Sequence, residues 1–276
     1  MGICKYCNNP AGFLKDKHKE CETKYSEGKS EIIKLVGESL KKDINLKEVQ
    51  QNLKDIANAS FIKEKEFLDL IKRGWHSAID CAFEDGVLDK EEEKKLADMI
   101  DIFGFNKDQL NYDFYYQKIV KGVILREILE GIIPQHMTIS GELPFNFLKT
   151  EKLIWVFKGI KYCETKTFRQ YQGGYGGVSI RVMRGLYYRT GTFKGNPVDT
   201  TQLVHVDTGF LGVTDKHIYF AGNIKNFRIK YENIVAFHPY GDGIGVQRDA
   251  QNAKPQVFIT DDGWFTCNLI MNLAKR

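Results

Sequence analysis

Three cysteines and a histidine fall within CKYCNNPAGFLKDKHKEC, residues 4 to 21. Written as spacing this is C-x2-C-x10-H-x2-C, two pairs each close enough to form a tight turn that aims two ligands at one point. The ten residues between the pairs let the chain turn back, so Cys4, Cys7, His18 and Cys21 are expected to converge on one zinc ion. Three thiolates and one imidazole complete a tetrahedral shell and leave no position open for water or substrate, which is the arrangement of a structural ion. Ala11, Phe13 and Leu14 are the segment's only candidates for a core, so the metal is expected to supply its folding energy. Lys5, Lys15, Lys17 and Lys19 offset the thiolate charge.

The stretch resembles the short zinc-ribbon-like knuckles at the start of many bacterial and phage multidomain proteins, with His18 in place of the more usual cysteine. That resemblance implies a docking or scaffolding module. A DNA-contacting finger is not expected, because the histidine spacing and recognition helix of that type are missing.

Composition limits the rest. The chain has 276 residues, is 42% hydrophobic and carries a net charge of +4, enough apolar material for real cores. The charge is uneven: 22 Lys and Arg against 25 Asp and Glu up to residue 141, then 18 against 11, a balance of +7. A basic C-terminal part permits an anionic partner. No signal-like segment or spanning apolar run occurs, and the six cysteines do not form a secreted disulfide framework, so a cytoplasmic protein is expected.

From Glu31 to about Glu130 the period is helical: Leu46, Val49, Leu53 and Ile56; Leu68, Ile71, Trp75, Ala78 and Ala82; Leu96, Met99, Ile100 and Phe103. Within AFEDGVLDKEEEKK, Asp85-Gly86 predicts a turn that ends one helix, and Asp89 caps the next with Glu92 completing a capping box. An EF-hand register fails, since Cys81 and Phe83 would stand where oxygen ligands are needed. This part is similar to the tellurite-resistance B-like (TerB-like) helical fold, whose turn acidics sometimes hold a metal. The resemblance makes Asp85 and Asp89 second metal candidates, beside the plainer reading of a capped helical hairpin.

After Pro134 short β-forming runs and glycine turns take over, and Gly173–Gly177 (GGYGG) reads as a flexible loop. Strands are expected at 153–162, 178–182, 186–190, 203–206, 210–213, 217–220, 227–230, 234–240, 243–248 and 256–260, closed by one C-terminal helix after Asp261-Asp262-Gly263. VDTGFLGVTDKHIYFAG followed by FRIKYENIVAFHPYGDGIGVQR resembles bacterial pleckstrin-homology (PH) and GRAM-like domains. That resemblance implies an antiparallel β-barrel closed by one helix. The fold class expected for the whole is multidomain α+β: a knuckle over 1–28, an all-α TerB-like domain over 29–139 and a PH/GRAM-like β domain over 140–276.

Three features of the β part bear on function. Arg181, Arg184, Arg189 and Lys194 form a basic strand face suited to an anionic partner, or simply to solvent. Asp207-Thr208-Gly209 matches the aspartic-protease motif but lacks a second copy, and reads better as a strand corner in which Gly209 takes a positive φ. His76, His136, His205, His217 and His238 stand singly along the sequence, with no nucleophile–base pairing. The expectation is a non-enzymatic adaptor with a protein partner first, and anionic lipid or nucleic acid as the other partners. The alternatives are a nucleic-acid-associated protein using knuckle and basic face together, and more remotely a protease acting through Asp207. Module strings of this kind imply a setting in bacterial stress response or host–phage conflict.

Overall fold

The computed structural model describes residues 2–40, 44–106, 110, 113–137, 142–183, 186–250 and 253–276; over 167–183 and 186–201 it describes the backbone only. Among the described residues, six α-helices and two antiparallel sheets, of two and seven strands, make a mixed α+β chain. The chain divides into two compact units, Met1–Ile132 and Ile133–Arg276.

The first unit opens with the two-stranded sheet, β1 (Gly2–Ile3) and β2 (Pro10–Gly12), followed by helices α1 (Lys19–Glu38), α2 (Leu46–Ala59), α3 (Glu64–Ala82), α4 (Lys90–Phe103) and α5 (Phe114–Leu129). Helix α4 buries the stripe its spacing predicts, Leu96, Met99, Ile100 and Phe103, whereas on α2 Val49 and Leu53 are buried together with Ala57 while Leu46 and Ile56 are only partly covered. On α3 the buried stripe runs through Phe67, Leu70, Ile71, Trp75, Ala78 and Ile79, while Leu68 falls off it and stays 47% exposed. Trp75 is fully enclosed and its indole N–H reaches the Leu96 carbonyl, so α3 is the central helix of this core.

The turn between α3 and α4 follows the sequence closely. Gly86 takes a φ of 84°, Asp89 accepts from the Glu92 amide at 2.7 Å, and Glu92 accepts from the Asp89 amide at 3.1 Å.

The second unit contains a seven-stranded antiparallel sheet in the order β6-β5-β4-β3-β9-β8-β7. Its strands are β3 (Leu153–Met183), β4 (Leu186–Thr214), β5 (His217–Gly222), β6 (Asn226–Lys230), β7 (Ile234–Tyr240), β8 (Gly243–Arg248) and β9 (Gln256–Ile259). Helix α6 (Gly263–Ala274) follows, capped by Asp262, which accepts from the Phe265 amide. It buries Phe265, Leu269, Ile270 and Leu273.

Three expectations are corrected here. The sheet is not closed into a barrel. A 3-10 turn (Tyr231–Asn233) joins β6 to β7, and buried Tyr231 donates to the Thr214 carbonyl, so the two outer strands run to opposite ends of the sheet instead of meeting in a hairpin. The expected strands between 153 and 213 merge into two long ones, and Gly173–Gly177 is part of β3, paired with Gly195 through Gly191. Glycine keeps its backbone donor and acceptor, so a ladder passes through it. Gly209 also lies within a strand, opposite Gly222, and has no positive φ; a Cβ there would meet the Ala221 carbonyl oxygen at 2.1 Å. Close strand approach, rather than a corner, requires this glycine.

A similar close approach locks α1 against α3. A Cβ on Gly74 would lie 2.5 Å from the Val36 Cβ and 2.9 Å from the Ile33 carbonyl oxygen. Gly74→Ala gains about 1 kcal/mol of helix propensity, but overpacking a contact that includes backbone costs more, for a net loss of about 2 kcal/mol. A thermal melt of the variant checks this; unchanged or raised stability would contradict it.

Candidate metal centre

The strand pair β1–β2 and the start of α1 build the site. Gly2 pairs with Gly12 and Ile3 with Pro10, which returns the chain after the first cysteine pair. The Cys4 amide donates to the Asn9 carbonyl at 2.8 Å and the Asn8 amide to the Cys4 carbonyl at 2.9 Å, closing the turn that carries Cys4 and Cys7. Asn8 takes a φ of 59°, a left-handed position that asparagine tolerates. The Lys5 amide donates to the Asp16 carbonyl at 2.8 Å, bringing the second pair alongside the first.

His18 is the N-cap of α1, extended at φ −87° and ψ 142°, and Cys21 lies in the first helical turn. The helix start therefore sets the spacing of the second pair, and its unpaired amides favour negative charge there. Tyr6, between the two cysteines of the first pair, packs with its ring tilted 38° against Tyr25 of α1 at 4.8 Å and lies 6.4 Å from Phe61 in the α2–α3 turn. The cysteine turn is thus pinned to the helical core.

The three sulfurs and one ring nitrogen lie within 4.8 Å of one another. Cys7 Sγ is 3.4 Å and Cys21 Sγ 3.7 Å from His18 Nδ1. Ligands on a tetrahedral zinc stand about 3.5–3.8 Å apart, given bonds of 2.0–2.3 Å. The opposite ring nitrogen, Nε2, donates to the Pro10 carbonyl at 2.9 Å, which leaves Nδ1 with its lone pair facing the sulfurs. This second contact, invisible in the spacing, orients the ligand ring.

Crowding shifts the proton affinities of these groups. Burial opposes the Cys4 thiolate, but donation from the Cys7, His18 and Tyr6 amides outweighs it and brings the thiol down to about 6. Burial and the neighbouring Cys7 and Cys4 sulfurs push Cys21 up to about 11. His18 is raised by the Pro10 carbonyl and by Cys7. Three sulfurs this close carry charge together only with a cation among them, so the four residues could hold one metal ion such as zinc.

Of the three core candidates in this segment only Ala11 is buried, alongside the ligand residue Cys4, whereas Phe13 is 83% and Leu14 90% exposed. The expected role of Phe13 and Leu14 as core residues is therefore corrected: the segment is too small to enclose them. Lys17 pairs with Glu22, and Lys5 lies over the Tyr6 ring.

The other sequence candidates are placed as follows. The Asp85 carboxylate accepts from the Val87 amide at 3.0 Å, and Asp89 serves the capping box, so both are occupied by backbone. Arg181, Arg189 and Lys194 lie on the β3–β4 hairpin, where only backbone is described, and Arg184 lies outside the described residues. Asp207 is buried and accepts from the Ile224, Lys225 and Thr208 amides at 2.7–2.8 Å. Burial works against its charge, but these amides and that of Asn223 prevail and hold the carboxyl below its usual range.

The histidines read as single in the sequence are not all single in space. His76 Nε2 lies 3.2 Å from Asp113, which also binds Lys72 at 2.7 Å. His217 Nδ1 lies 2.7 Å from Glu151, whose other oxygen accepts from Tyr219 at 2.9 Å. These partners are 37 and 66 positions apart, and no local motif links them.

Two outcomes are expected. The purified chain carries one zinc by elemental analysis, and Cys21→Ala loses it and melts earlier; equal metal content in the two would contradict the site. Asp207→Asn places an amide against N–H donors and lowers the melting temperature by roughly 5 °C at neutral pH. Because the Asp207 carboxyl is depressed in the fold, its contribution is present above the ordinary carboxylate range and disappears as pH falls through the folded value, so wild type and variant should converge in acid. A difference that persists there would contradict the assignment.

No family model, curated protein or solved structure matches the chain, so the reading of this centre rests on its own geometry.

Proposed function

We propose that this chain is a non-enzymatic adaptor in which a zinc-stapled knuckle and a PH-like β unit engage a protein or an anionic partner. The observation that carries the reading is the donor set. Cys4, Cys7, His18 and Cys21 together supply four ligands with the lone pair of Nδ1 turned inward, which leaves a tetrahedral ion no site for substrate. Such an ion fixes a surface rather than performing chemistry on a bound molecule.

Further observations support the parts. An antiparallel set of strands followed by a single C-terminal helix supports the PH-like reading, although the sheet stays open. The Asp85-Gly86 turn and the Asp89 capping box suit the TerB-like reading. Engagement of Asp207 by the loop amides of Asn223, Ile224 and Lys225 and by the neighbouring Thr208 amide favours a structural carboxylate over the catalytic one of a protease, which shares a proton with a second acid. The exposed Phe13 and Leu14 offer the knuckle an apolar contact for a partner. The setting implied by the resemblances is stress response or host–phage conflict in a bacterium.

Affinity capture with the intact chain, compared with Cys7→Ala/Cys21→Ala, tests the adaptor reading. At least one specific partner should be retained by the wild type and reduced tenfold or more with the variant. Identical recovery with both proteins, or turnover of a substrate by the wild type, would contradict it.

A further inference from the structure

The pairing of β3 with β4 continues far beyond the rest of the sheet. β9 is in register with β3 over Lys161–Glu164 only, and β5 with β4 over Gly209–Val213 only. From the row Lys166–Gln202 to the row Met183–Leu186 the two strands are, among the described residues, in register with each other alone. At about 3.3 Å per residue, this two-stranded ribbon is on the order of 55 Å long. An isolated ribbon is marginal in water, so its pairing calls for something to cover it.

The charge identifies what that is. Between residues 166 and 202 the sequence has six Lys and Arg against Asp199 alone, a balance of +5. The whole stretch from Glu142 to the C-terminus carries +7, so the remainder contributes only +2. The positive excess of the β part is thus a property of the ribbon.

Register sorts it further. The rows Arg169–Asp199, Tyr171–Pro197, Tyr175–Phe193, Ser179–Arg189 and Arg181–Tyr187 belong to one alternating set, which puts these positions on one face. Arg169 shares its row with Asp199, an offsetting cross-strand pair. Arg181 and Arg189 therefore supply the net charge of this face, on neighbouring same-face rows near the end of the ribbon. Between them and the sheet, Gly173 faces Gly195 and Gly177 faces Gly191, rows without side chains where another backbone can come close.

We infer that this ribbon is an arm that lies in the major groove of double-stranded DNA, with Arg181 and Arg189 on phosphates. This deepens the reading of the chain as a binding protein by naming its anionic partner. Strands about 4.8 Å apart make a ribbon that a groove about 12 Å wide admits. Two-stranded ribbons twist strongly, as a body following a helical groove must. Duplex RNA is excluded because its major groove is too narrow to enter.

Fluorescence anisotropy of the intact, zinc-loaded chain with a 30-base-pair mixed-sequence DNA duplex, measured between 50 and 200 mM salt, tests the inference. Affinity should fall steeply with salt. Arg181→Gln/Arg189→Gln should weaken binding tenfold or more and lower the slope of log K against log salt by about 2. Arg181→Lys/Arg189→Lys should keep affinity within about threefold, since lysine also neutralises a phosphate. No binding at 50 mM salt, equal binding by the Gln variant, or failure of the Lys variant to restore it would overturn the arm. So would stronger binding to an RNA duplex or to vesicles containing phosphatidylserine. If zinc-dependent partner capture persists while DNA binding fails, only the ribbon assignment falls.

Discussion

Four ligand atoms within 4.8 Å constrain everything around the N-terminus. Two come from a turn closed by backbone bonds of Cys4 and Asn8, two from the first residues of α1. His18 serves both elements, turning Nδ1 toward the sulfurs as a candidate ligand and standing as the N-cap where the helix begins. Because α1 packs on α3 at a glycine contact, and α3 buries Trp75, a rigid path runs from the ligand cluster into the helical core. The knuckle is in this sense the first turn of the helical unit, and Tyr6 against Tyr25 completes the join.

The β unit is held by a different device, a buried carboxylate that is satisfied locally. Asp207 gathers the amides of the loop between β5 and β6, and a Cβ on Gly222 would collide with its oxygens. Glu151 lies against His217 and Tyr219. A buried charge costs little only while its acceptor sites are filled, so Asp207 holds the β5–β6 loop against β4.

Much of this was legible in the sequence where the governing interaction is local. The C-x2-C and H-x2-C pairs, the Asp89–Glu92 capping box, the helical stripes and the C-terminal helix all depend on residues a few positions apart. What escaped notice depends on distant partners. The Pro10 carbonyl on His18, the Glu151–His217 pair and the loop seated on Asp207 arise only when remote segments meet. The long strands were hidden for another reason. Glycine signals a turn when read alone, yet a ladder runs through GGYGG because the pairing uses backbone groups. Closure of the sheet was likewise undetermined by strand count, since it depends on how the Tyr231–Asn233 turn directs β7.

The central claim is that the N-terminal ion is enclosed by protein and therefore structural. X-ray absorption spectroscopy at the zinc edge of the purified chain measures this directly. The account predicts three sulfurs and one nitrogen, with no oxygen ligand, unchanged when potential partners or small molecules are added. An oxygen in the coordination shell, or fewer than three sulfurs, would contradict it.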